Sequence, residues 1–345
     1  MTDLLDISLE DTKPVQNLPR KKLLTHLDGD DYILRMDNTA LENFLSCDRA
    51  AFYRLILGRT SGGTSALTYG SAIHAALEYY YTHGLDLQAM LRAGEAEFAK
   101  SPPEVGEWRN YDTFEAAIKG YLSHYGLHTQ HDVFTPVIHL DQVCVERRFE
   151  DHLGEVEINA ELPFSRELLV IDSEDPSPLY IRKLHIVWTG VIDILAHQGE
   201  HLWVVDHKTT SIEGPSYYDA FNLSQQFVGY TRAAQKILGV PVSGALLNCI
   251  IGRKPTKTGT SLAFSRRYYP YSKWLIDEWQ SEILVLVADF VDRLRSGLFP
   301  KRTLWCTNKF GTCPYMSVCQ MEPEHRLMML NSSNYTNYVW DPLKK

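Results

Sequence analysis

The stretch TGVIDILAHQGEHLWVVDHKT, residues 189–209, decides how this chain folds. Two apolar runs, Val191–Ala196 and Leu202–Val205, flank a turn at Gly199, which predicts the two strands of a hairpin. The second run ends in Asp206, His207 and Lys208 where an apolar strand would continue. Strand side chains alternate faces, so Asp206 and Lys208 share one face and His207 takes the other. Asp193, on the neighbouring strand, comes close to Asp206. Two carboxylates side by side repel, and each is driven towards its protonated form unless a cation lies between them. Oxygen ligands of this kind suit Mg2+ or Mn2+. A lysine beside such an ion can orient and help deprotonate a water, or stabilise charge on a phosphate. These are the parts of metal-assisted phosphodiester hydrolysis. The plainer alternative is a hairpin that ends in an exposed ion pair, because D-x-K is a short pattern.

Outward from the hairpin, the chain divides by its periodicity. Residues 36–57 read as a helix capped near Asn38 or Thr39. A Gly/Ser/Thr loop follows, and then a helix over 67–84 closed by Gly84. Two more helices are expected at 87–100 and 111–126, a helical insert spanning about 86–130. From Thr135 to Lys208 the chain turns β-branched and aromatic, with strands expected at 137–150, 156–164, 183–198 and 201–209. A helix over 216–239, apolar strands over 242–252 and 263–270, and a long amphipathic helix over 271–297 complete the pattern. The fold class is α/β, with a central mixed β-sheet flanked by helices, an N-terminal helical region and a C-terminal cysteine-rich segment. The expected layout is a flexible N-terminal arm (1–35), a single domain (36–322) and a C-terminal tail (323–345).

Composition narrows the class. The chain has 345 residues, 44% hydrophobic and 22% charged, which is the profile of a soluble globular protein. No apolar run approaches the roughly 18 residues of a membrane span, and no apolar leader opens the chain, so a cytoplasmic location and no membrane partner are expected. A net charge of −9 argues against coating nucleic acid but leaves room for a local grip, because the field in a cleft follows nearby charges. Small basic clusters, among them Arg253 with Lys254, Arg266 with Arg267, and Lys301 with Arg302, read as solvated faces or as such a grip. Of six cysteines, Cys306, Cys313 and Cys319 fall within fourteen residues, Cys47 stands far upstream, and Cys144 and Cys249 sit in apolar strands as plain core residues. Four thiolates make a zinc or an iron–sulfur site.

An acid followed by D-x-K at the end of the next strand resembles the PD-(D/E)XK nuclease superfamily, with Ile192 standing where proline is usual. Three features resemble its RecB-like branch. YGSAIHAALE is similar to that branch's G-x-x-x-H-x-x-x-E helix and supplies Gly70 and His74. QQFVGY is similar to its Q-x-x-x-Y helix and supplies Gln226 and Tyr230, four residues apart and so on one helical face. VCVERRFE supplies Glu146, similar to an upstream acid of the family. One cysteine before the core and three after it are similar to the iron-staple nucleases, which include AddB and the CRISPR-associated RecB-like exonucleases. The gap between Cys306 and Cys313 is longer than in several relatives.

The resemblance implies a restriction-endonuclease-like core and a hydrolase acting on DNA. It implies Asp193, Asp206, His74 and the backbone carbonyl of His207 as ligands of Mg2+ or Mn2+. Lys208 would assist the attacking water, and Gln226 and Tyr230 would position the substrate or the lysine. Cys47, Cys306, Cys313 and Cys319 would hold a 4Fe–4S cluster, with Zn2+ as the second choice. The expected activity is an exonuclease on single-stranded DNA ends in recombination, repair or processing, similar to phage-encoded nucleases. A structure-specific endonuclease, or a DNA-binding and assembly subunit of a recombination or spacer-acquisition complex, is the alternative. No G-x-x-x-x-G-K-[ST] motif is present, so any motor would come from a helicase or recombination partner.

Overall fold

The computed structural model describes residues 23–62, 65–126, 134–171, 173–256, 261–308, 311–338 and 340–341. The chain forms a mixed α/β structure whose backbone clusters into two interleaved units. One takes Met1–Gly62, Glu150–Gly190 and Gln280–Lys345, and the other takes Gly63–Phe149 and Val191–Trp279.

The first unit opens with an antiparallel hairpin, Leu24–Asp28 against Asp31–Met36, in the register Leu24↔Leu34 and His26↔Tyr32. This hairpin falls inside the segment expected to be a flexible arm; the rest of that arm, 1–22, lies outside the described residues. Its second strand runs parallel to the middle of the long strand Pro178–Gln198, with Leu34↔Ile186 and Met36↔Trp188. Leu34, Met36, Ile186 and Trp188 are buried, so both strands anchor in the core.

The helix expected over 36–57 is broken. Asp37 caps it, its side chain accepting from the Ala40 N–H, and the α-helix runs only from Asn38 to Ser46. Cys47 is extended (φ −165°), a short helical turn covers Asp48–Ala51, and a wider turn with i→i+5 bonding covers Phe52–Ile56. The break is held by packing beyond it. Phe52 stacks on Phe299 at 4.8 Å, and Phe44 meets Phe290 edge-on at 5.2 Å. Two separate strands were expected, at 137–150 and 156–164. The strand instead runs unbroken from Val145 to Ser165. Gly154 serves close packing there, since a Cβ at that position would lie 3.1 Å from the Leu284 side chain.

In the second unit the hairpin closes as expected: Gln198 pairs with His201 across a turn in which Gly199 has φ 58°. The strand His201–Thr210 lies parallel to Gly244–Gly252, which in turn is antiparallel to Leu262–Pro270. Helices Ser65–His83, Leu87–Lys100 and Tyr111–Tyr125 pack through Ile73, Leu77, Met90, Phe114 and Ile118 and reach the sheet at Ile250. The segment expected as one helix over 216–239 is two, Pro215–Asp219 and Gln225–Leu238. Ser224 starts the second by accepting from the Phe227 N–H. Among the described residues no helix is long and apolar enough to cross a membrane.

Candidate nuclease site

The hairpin ladder of the second unit ends at Ile194↔Val205. One residue further along each strand stand Asp193 and Asp206, both buried. Asp193 Oδ2 accepts the His207 backbone N–H at 2.8 Å and lies 3.4 Å from His74 Nδ1. The histidine comes from the helix Ser65–His83. One turn earlier on that helix, a Cβ on Gly70 would sit 3.3 Å from Thr209 Oγ1, so glycine lets the helix lie close to the strand that carries Lys208.

Glu146 joins this cluster. Ligand atoms of His74, Glu146 and Asp193 all lie within 4.8 Å of one another. The Glu146 backbone has φ 50°, the left-handed region that a glutamate seldom adopts. Such strain gathers at functional sites, where it aims a side chain that a regular strand would point elsewhere.

Asp206 belongs to a second group. Its Oδ2 is 2.8 Å from Lys208 Nζ, and its Oδ1 accepts from Lys208 Nζ and from Gln226 Nε2, both at 3.1 Å. Lys208 Nζ also donates to Gln226 Oε1 at 3.2 Å. One amide therefore holds both the acid and the lysine. Tyr230, one turn along the same helix, is buried with its ring edge-on to Phe149 at 5.2 Å. The alternation read from the sequence holds here, with Asp206 and Lys208 on one face. The His207 ring points away, 2.7 Å from Asn248 Nδ2 through its Nδ1 and stacked on Tyr81 at 5.8 Å.

Behind that ring lies a buried polar network that the sequence reading missed. Asn248 is fully buried; its Nδ2 also donates to Tyr121 Oη at 2.9 Å, and its Oδ1 accepts from Arg266 Nε at 3.1 Å. Arg266 lies over the Tyr125 ring at 3.8 Å, so it is part of this network and not a solvated face. Burial pushes the Tyr81 hydroxyl well above its usual pKa, so it remains a neutral phenol. The available signal was a single Asn in an otherwise apolar strand.

The first unit holds the other set. Cys47 sits at the helix break, and its Sγ accepts the Arg302 backbone N–H at 3.4 Å. The next residue, Asp48, is buried and pairs with Arg302 at 2.9 Å and Arg293 at 3.7 Å, which offsets the cost of burying its charge. The Cys313 N–H donates to the Cys306 carbonyl at 2.8 Å. Burial pushes the Cys313 thiol up, and Cys47 and Cys306 push it the same way. Burial also raises the Cys319 thiol; Arg49 opposes the shift while Cys47 and Cys313 add to it. All four thiols are free of disulfides. Cys144 and Cys249 are buried in the second unit.

A central mixed sheet flanked by helices, with paired acids and a lysine where two of its strands part, defines a restriction-endonuclease-like α/β protein. The chain belongs to the PD-(D/E)XK nuclease superfamily, whose family model matches residues 38–320. Among solved structures, one described as "Putative exonuclease" from Eubacterium rectale is similar at 11% identity and a TM-score of 0.42. The match covers 87% of this chain and 93% of that one. No curated protein sequence matches the chain.

Proposed function

We propose that the chain is a metal-dependent deoxyribonuclease, an exonuclease acting on single-stranded DNA ends. One observation carries this reading. Lys208 Nζ is fixed between Asp206 and Gln226, beside the acid and imidazole donors of His74, Glu146 and Asp193. Three carboxylates and one imidazole fit a hard divalent cation such as Mg2+ or Mn2+. His74, Glu146, Asp193 and Asp206 would hold the ion, with the His207 carbonyl as a further ligand. When bound, it supplies positive charge for the phosphate oxygens and a more acidic water. Lys208 Nζ orients that water and takes up or donates its proton. Gln226 keeps the lysine in register with Asp206, and Tyr230 orders the helix face that carries Gln226. The same four cysteines would hold a 4Fe–4S cluster, for which Zn2+ is the lesser alternative. The donor set supports this in its chemistry: four thiolates held together are compatible only with a cation among them. In the cell, the enzyme would work in the cytoplasm in recombination, repair or DNA processing, with any motor supplied by a helicase partner.

The test is cleavage of end-labelled single-stranded, double-stranded and covalently closed circular DNA with Mg2+ or Mn2+. Cutting from free single-stranded ends is expected, and cutting of closed circles would make the enzyme an endonuclease. Lys208→Ala should lower the rate by about 10²–10⁴-fold while DNA binding persists. Wild-type rates in that variant would sink the assignment. Wild-type protein that binds DNA ends and never cuts them would instead be an assembly subunit.

A further inference from the structure

The helix that brings His74 to the site also lines a cleft that the hydrolytic centre does not use. Residues 66, 70 and 74 share one face of that helix. His74 meets Asp193, Gly70 lies against Thr209, and Ala66 lines the cleft. The eight helical steps from Ala66 to His74 span about 12 Å at ~1.5 Å each. A strand whose phosphate lies at the metal cluster therefore lays a nearby nucleotide, beyond the adjacent linkage, along the cleft. The cleft is small, with ≈ 60 Å³ of space, and it opens to solvent, so a ligand would lie along its wall and not inside it.

Its lining suits one nucleotide. Trp108 offers part-exposed aromatic surface, backed by the buried Tyr69 and Ile250. The Arg109 guanidinium lies 4.4 Å above the Trp108 ring. The stack restrains a planar fork of donors that matches phosphate geometry. Its acidic neighbour, Glu107, is 3.9 Å away and leaves Arg109 part-exposed. Thr209 and Ser211, immediately beyond Lys208, add hydroxyls to the same rim. Arg109 is the one charged side chain among the lining residues. An anionic ligand with an apolar, stackable body is what this combination recognises.

We propose that this cleft is a subsite for a nucleotide of single-stranded DNA close to the scissile phosphate. Arg109 takes that nucleotide's phosphate, and its base packs against Trp108. The assignment rests on the nuclease reading and extends it from chemistry to substrate grip. A base is read here by stacking, so the subsite is tolerant of sequence, and it requires the strand to be unpaired.

The experiment is a cycle between protein and substrate. Wild type and Trp108→Ala act on oligodeoxynucleotides carrying a normal nucleotide, or an abasic one, at each position near the scissile bond. One abasic position is expected to cost wild type about tenfold in kcat/KM. Trp108→Ala should lose the same factor on the intact strand and nothing more on the abasic strand. Arg109→Gln, which leaves the aromatic wall in place, should weaken the normal strand and spare one with a neutral methylphosphonate at the adjacent linkage. The same oligonucleotides are measured for binding in a Lys208→Ala background, which tests the subsite apart from turnover. Equal losses on intact and abasic strands, or no position at which the base matters, overturn the subsite. Absence of wild-type cleavage on every DNA, with the binding cycle intact, overturns the nuclease reading and leaves the subsite standing.

Discussion

At the scale of single residues, the site divides by how each side chain is aimed. Asp206 and Lys208 could be placed together by strand alternation, whereas His74 and Gln226 stood out only because their helices resemble motifs of the family. Glu146 was legible only as a weak resemblance, because a positive φ, which no periodicity encodes, turns it into the cluster with His74 and Asp193. Glu146→Gln keeps the shape and removes the charge. If Glu146 is a direct ligand, this variant should need at least ~10–100-fold more Mn2+ for half-maximal cleavage, as much as the loss of an outer partner costs. An unchanged metal titration would return Glu146 to the surface of the strand. Asn248 makes a different claim. It holds the His207 ring and Arg266 together from a fully buried position. Replacing it with Ala leaves two buried polar partners to rearrange and should cost about 1–3 kcal/mol in chemical denaturation.

At the scale of elements, the sequence located nearly every helix and strand of the second unit but not where two elements touch. Gly94 shows why. A Cβ on it would fall 2.1 Å from Phe114 Cζ, so two helices meet through a missing side chain. By propensity alone Gly94→Ala should stabilise an exposed helix; here it should destabilise the fold by about 1–3 kcal/mol. Adding Phe114→Leu should return part of that loss in a double-mutant cycle. Strictly additive losses would show that the two helices do not press together at Gly94. The break at Cys47 was hidden for a related reason. Apolar residues continue at helical spacing through 57, and only tertiary partners, Phe299 against Phe52 and Arg302 against Asp48, reveal that the backbone leaves the helix. The first hairpin escaped because the charged residues of DGDD obscured a short apolar strand, Tyr32–Met36, whose parallel partner lies about 150 residues away.

At the scale of the whole molecule, each set of candidate ligands lies within one unit: the hydrolytic residues in the second, the four cysteines in the first. The two can therefore be tested separately. Protein purified without oxygen should be brown with about four irons per chain. A colourless protein with a single zinc would replace the cluster by the simpler ion. Cys313→Ala should lose the metal and lower the melting temperature, because a metal that binds only the folded state adds its binding energy to stability. A variant that melts as wild type does would show that these cysteines staple nothing.

The order of segments also bears on how the protein is made. Cys47 and the first hairpin leave the ribosome early, but the last segment of their unit begins only at Gln280. At ~5–20 residues per second, the roughly 220 residues between occupy about 10–40 s of synthesis. During that time the second unit's segments are all delivered, while the early thiol waits for the three that follow. A message cut short after Trp279 would still encode every residue proposed for hydrolysis and none of Cys306, Cys313 or Cys319. Damaged transcripts would thus yield chains with the residues proposed for cutting but without the late cysteines.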